Sequence, residues 1–107
     1  MFNFDRFFQE LKEGVVEIAK QEATAFAKEA TDDGKEFLEA VKSNLQTWTQ
    51  QLAKGELSQK DFEFLVKGQK DVAAMKALTQ AGLAAIRIDR IRVAMIDLII
   101  TAAGKLV

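Results

Sequence analysis

Residues 52–62 read Leu-Ala-Lys-Gly-Glu-Leu-Ser-Gln-Lys-Asp-Phe, and this stretch decides the fold. Gly55 follows a run of good helix formers and can take the left-handed conformation that ends a helix. Lys54, just ahead of it, suits the negative end of the helix dipole. Ser58 stands where an N-cap would, with Asp61 at N3 in a short variant of the capping box. Leu57 and Phe62 are spaced for a hydrophobic staple. The reading is a tight turn at 55–57 between two long helices, about 3–54 and about 58–105.

Toward the N-terminus, apolar residues recur at a step of eleven. Phe4, Val15, Phe26, Phe37 and Trp48 form one row, and Phe8, Ala19, Ala30, Val41 and Leu52 the row beside it. Eleven residues over three turns is close to the pitch of a straight helix. The third row, Leu11, Glu22, Asp33 and Asn44, turns polar after Leu11. Thr31–Glu36 alone resembles a stop and restart, with Asp33 as cap and Glu36 at N3. The phase holds across it, so one continuous helix is expected, with Gly34 costing about 1 kcal/mol relative to alanine.

Toward the C-terminus, Phe62, Leu65, Val66, Val72, Ala73, Met75 and Leu78 give a loose helical stripe. Gly68 and Gly82 read as interior glycines. From Ala81 the steps alternate between three and four, through Ala84, Ile88, Ile91, Met95, Leu98 and Ala102, which is coiled-coil spacing. A second apolar face, Ile86, Val93, Ile96, Ile99, Ile100 and Ala103, accompanies it. A helix apolar on most sides is buried on most sides, and one partner helix cannot cover it.

The expected fold is all-α: a single domain, 1–107, built as a long antiparallel two-helix hairpin. At 1.5 Å per residue each arm of about 48 residues is roughly 70 Å long. Such a rod has no closed core, so it is expected to self-associate into a four-helix or larger bundle as a homodimer or tetramer. The expected self-association interface is Phe4, Phe8, Ile88, Ile91, Met95, Ile96 and Ile99. Asp97, set inside an apolar run, is expected to pair with Arg90 or with an arginine of another chain, since an unpaired charge there is costly. Arg87 and Arg90 are the basic candidates for ion pairs at that interface.

The composition narrows the chemistry. The 107 residues carry 15 Lys and Arg against 16 Asp and Glu, with no His, Cys, Pro or Tyr. Near-neutral charge gives no global attraction for nucleic acid. Residues 1–54 hold seven basic against ten acidic side chains and residues 55–107 eight against six, which weakly favours the arms lying side by side. Glu10 with Glu13, and Glu36 with Glu39, are spaced to share a divalent ion. Helical di-iron sites add Glu-x-x-His motifs, so without histidine these pairs, and Asp32 with Asp33, read as a solvated face. Ser43 and Ser58 have no histidine or cysteine to activate them. The six glycines are too scattered for a phosphate loop. No catalytic residue, metal or cofactor is expected.

Phe2, Phe4, Phe7 and Phe8 with Arg6 and Lys12, followed by lysines at 20, 28, 35 and 42, also suit a membrane surface. The Lys-Glu-Gly-Val of residues 12–15 and the 11-residue step are similar in style to synucleins and exchangeable apolipoproteins across residues 4–52. That resemblance implies an arm lying on lipid. Neither Met1–Leu11 nor the 11-residue apolar run Val93–Ala103 has the pattern of a secretory signal or a membrane span, so the expected compartment is the cytoplasm. The leading expectation is a non-enzymatic structural or protein-interaction module, with another protein partner also compatible; the alternative is a membrane-surface or lipid-binding amphipathic protein.

Overall fold

Asn3 opens the first helix. Its Oδ1 accepts from the Arg6 N–H at 3.1 Å, satisfying one of the donors a helix start leaves free. Helical structure then runs without a loop to Ala53, but not along one axis. The computed structural model, which describes residues 2–106, divides the stretch into α1 (Phe4–Ile18), a π-helical turn (Ala19–Ala23), a 3-10 turn (Thr24–Phe26) and α2 (Ala27–Ala53). The chain reverses at these two turns, and α2 runs back along α1. Lys12 Nζ lies 3.5 Å from Glu39 Oε1, and the ammonium groups of Lys12 and Lys42 stand 5.1 and 5.0 Å from the Phe8 ring centroid. The straight first arm expected over 3–54 is therefore a packed helix pair. The molecule measures 43 × 23 × 20 Å, well short of the 70 Å rod.

The reversal is built on Thr24, an exposed residue at φ 47° and ψ −106°. This conformation is strained for a side chain carrying Cβ and open to glycine. Thr24→Gly is expected to raise stability by about 1 kcal/mol, seen as a higher urea midpoint at unchanged slope. A lowered midpoint would show that the threonine is unstrained there.

The 52–62 stretch forms the expected turn. Gly55 takes φ 75°, the Glu56 N–H donates to the Gln51 carbonyl at 2.8 Å, and Ser58 Oγ accepts from the Asp61 N–H at 3.0 Å. The second arm, expected as one helix over 58–105, breaks twice. α3 (Gln59–Lys67) stops at Gly68, and a 3-10 turn (Lys70–Val72) leads to the short α4 (Lys76–Ala81). Gly82, at φ 91°, ends α4 with the Leu83 N–H on the Leu78 carbonyl at 3.1 Å. α5 (Ala85–Gly104) follows. Gly82 is thus a stop with full Schellman closure, not an interior residue.

Side-chain contacts fix the arrangement. Asn44 Nδ2 donates to Gln69 Oε1 at 3.3 Å, setting α2 antiparallel to the α3–α4 segment. Gln59 Nε2 lies 3.0 Å from where a Cβ on Gly104 would stand, and Lys70 Nζ meets Asp89 Oδ1 at 3.0 Å, so α5 runs antiparallel to α3. Arg87 donates to the Glu22 carbonyl at 3.1 Å, closing α5 onto the start of the reversal. Each layer thus runs opposite to the one before, and the last returns beside α1: an up-down-up-down bundle made by one chain.

Asp33 ties the layers. It is buried, and its Oδ1 and Oδ2 accept from the backbone N–H groups of Ala77 (3.0 Å) and Leu78 (2.8 Å). α4 has no cap of its own: Met75 precedes it at φ 55° with no side-chain hydrogen bond to the helix. Asp33 supplies that cap from 44 residues away. This corrects the reading of Asp33 as part of a solvated face. The Asp33-x-x-Glu36 capping box itself is not formed: α2 runs continuously through both residues, as the unbroken phase predicts, and Glu36 is exposed. Gly34, beside Asp33, marks a close approach. A Cβ there would lie 2.5 Å from Val15 Cγ1 and 2.7 Å from Met95 Cε, so α1, α2 and α5 converge on its missing side chain.

Candidate interaction surface

The residues expected to bind a second chain lie inside this one. Phe4, Phe8, Ile88, Ile91, Met95, Ile96 and Ile99 are all buried in the chain's own core. The physical reason is the double reversal, at Thr24 and at Gly82. The apolar surface that a straight hairpin leaves wet is covered when the hairpin folds in two. The phenylalanines that suggested a lipid-facing arm share this fate: Phe4, Phe7 and Phe8 are buried, with Phe4 and Phe8 centroids 5.6 Å apart.

The charged candidates fall into two groups. Arg87 donates to the Glu22 carbonyl and so serves the bundle's own connections, as does its neighbour Arg92, which was not among the candidates, on the carbonyls of Ala73 and Ala74. Arg90 and Asp97 are exposed, and neither makes an ion pair with any described residue. The expected Arg90–Asp97 pair is absent within the chain. Seven residues on one helix put the two about 10.5 Å apart along its axis, beyond ion-pair reach.

What stays wet and apolar is a different set. Ile86 is 68% exposed and Val93 41%, with Ile100 half-buried beyond them. They recur at seven, so they share one outward stripe of α5. Phe64, 77% exposed, stands on the neighbouring α3. Beside Val93 a groove of about 280 Å³ runs between Lys67, Lys70, Val93, Ile96 and Asp97. Its two lysines already engage Glu63 and Asp89, both at 3.0 Å. The sequence did show Ile86, Val93 and Ile100 on a second apolar face of α5. It did not show which members of that face meet water, because that depends on where α3 and α1 stand.

At the opposite side of the chemistry question, three hollows gather around Phe2. One, of about 420 Å³, is a shallow cleft lined by Phe2, Phe4, Gln50, Ala53 and Lys54. No pair of ionisable groups converges in it. Among the described residues no three His, Cys, Asp or Glu side chains gather as metal ligands, and no helix is long and apolar enough to cross a membrane. The pairs Glu10 with Glu13 and Glu36 with Glu39 are exposed on the outsides of α1 and α2. Comparison of the chain with protein-family models, with curated proteins and with solved structures finds no match.

Proposed function

We propose that this chain is a non-enzymatic protein-interaction module, a self-contained helical bundle that presents the outward stripe of α5 as its working surface. The observation that carries the reading is the exposure of Ile86 and Val93 at a seven-residue spacing on one helix, where the other exposed large apolar side chains, Phe64 and Val72, stand singly. A chain able to bury Ile88, Ile91, Met95, Ile96 and Ile99 completely has no folding need for large aliphatic side chains on the outside of the same helix. Scattered exposed hydrophobics need no explanation, whereas an aligned row on one helix is the form a helix-docking surface takes.

The test is the double substitution Ile86→Lys with Val93→Lys. Both side chains point outward, so the melting temperature is expected to stay within a few degrees, about 0.5 kcal/mol. A partner that binds the wild type, identified and reconstituted from purified components, is expected to be lost. Binding that survives the double substitution overturns the reading. So does flotation of the intact bundle with phosphatidylglycerol vesicles, which would move the assignment to the lipid surface.

A further inference from the structure

We infer that the partner seated on this stripe is a second copy of the chain, docked antiparallel, α5 against α5, about a two-fold axis through Val93. The inference rests on the interaction-module reading and names its occupant. Three features of α5 are self-complementary about the same point. Ile86 and Ile100 lie seven residues to either side of Val93, so a two-fold through Val93 sets Val93 on its own copy and each Ile86 on the other chain's Ile100. Arg90 and Asp97 lie three and four residues to either side of it. The same rotation brings each Arg90 within one residue of the level of the other chain's Asp97.

The charges suit this arrangement. Arg90 and Asp97 stand on one flank of the stripe, each four residues after a stripe residue, and the antiparallel two-fold keeps that flank facing its counterpart in the copy. The two-fold pairing sets two opposite-charge contacts on the flanks of the apolar seam, as e-position residues do in coiled coils. No other acidic group of α5 competes, because Asp89 is held by Lys70 at 3.0 Å. Arg90 and Asp97 make no ion pair among the described residues, and each gains a partner from the copy. An isologous contact of this kind closes on itself and stops at the dimer.

One helix pair buries less than a standard interface, so the dimer is expected to form with a dissociation constant in the range of tens to hundreds of micromolar. Sedimentation equilibrium of the full chain from about 5 to about 500 µM covers that range. Arg90→Asp and Asp97→Arg, each alone, turn two attractive contacts into two repulsive ones and are expected to weaken dimerisation roughly tenfold or more. Together in one chain, Arg90→Asp with Asp97→Arg restores both contacts and should return the constant to within about threefold of wild type. Mixing the two single variants should give a heterodimer that neither forms alone. All positions are exposed, so circular dichroism melting of each variant should match the wild type.

A wild type that is monomeric at about 500 µM overturns the proposal, as does a dimer indifferent to the single charge reversals or not rescued by the double. If the chain is monomeric while Ile86→Lys with Val93→Lys still abolishes binding of a different purified protein, the second copy is excluded and the interaction surface stands.

Discussion

Asp33→Ala is expected to lower the melting temperature by roughly 15 °C, the equivalent of about 3 kcal/mol in a domain of this size. The aspartate is buried, and each carboxylate oxygen accepts one backbone N–H of α4, at 3.0 and 2.8 Å. Hydrogen bonds to a charged group contribute about 1.5–3 kcal/mol each, and the loss is compounded by the buried Leu78 N–H and the half-buried Ala77 N–H left without a partner. α4 has no reserve. It is six residues long, far below the length at which an isolated helix holds together, and Met75 before it sits at φ 55°. Asp33→Asn keeps the shape but offers one acceptor where two are needed, so about half the loss is expected. Hydrogen exchange at Ala77 and Leu78 should quicken in both variants ahead of exchange in α2 and α5. A loss under about 1 kcal/mol for the alanine variant would show that α4 stands without this clamp.

Gly34→Val should cost about as much, by a different mechanism. The added Cβ meets Val15 Cγ1 at 2.5 Å and Met95 Cε at 2.7 Å, where ordinary contact begins near 3.5 Å. The methionine can swing aside, being unbranched. Val15 cannot, because a β-branched side chain in a helix is held to one rotamer. α1 must therefore move off α2, and overpacking of this degree is expected to cost about 3 kcal/mol. Gly34→Ala introduces the same Cβ but gains about 1 kcal/mol of helix propensity, for a smaller net loss. The diagnostic is coupling. Val15→Ala, destabilising alone because it opens a cavity, should be far less so in the Gly34→Ala background, where the new methyl fills it. Additive losses would mean that the two residues do not touch.

The helical character of both arms and the turn at 55–58 were legible because they rest on local chemistry: Gly55 and Ser58 act through groups a few residues away. The reversal at Thr24 was not legible. No glycine or proline marks it, and the 11-residue rows pass through it unbroken. Periodicity reports which face of a helix is buried and is blind to whether the axis bends. Here the π-helical and 3-10 turns together occupy eight residues and return the chain in phase. Phe4, Val15 and Phe37 are all buried, on two helices where the spacing suggested one. From the missed bends at Thr24 and Gly82 follow the length of the expected rod and the assignment of Ile88, Ile91, Met95, Ile96 and Ile99 to a contact with another chain. Asp33 shows the converse. Its spacing to Glu36 suggested only a local cap, which does not form, and a cap whose helix lies 44 residues on cannot be read from local sequence. The outward stripe was half legible: α5 was apolar on two faces, and only the position of its neighbours divides Ile96 and Ile99 from Ile86 and Val93.

The alternating direction of the layers bears on how quickly the native state is reached. α2 packs on α1, α3 and α4 on α2, and α5 on α3, so much of the search is between segments close in the chain, and the entropy lost in bringing them together is small. Chains of this topology assemble on the microsecond-to-millisecond scale. The closure that spans the molecule brings α5 to the first helix and its reversal, with Gly14 beside Leu98 and Arg87 on the Glu22 carbonyl, and it carries the largest loop entropy of any contact in the bundle.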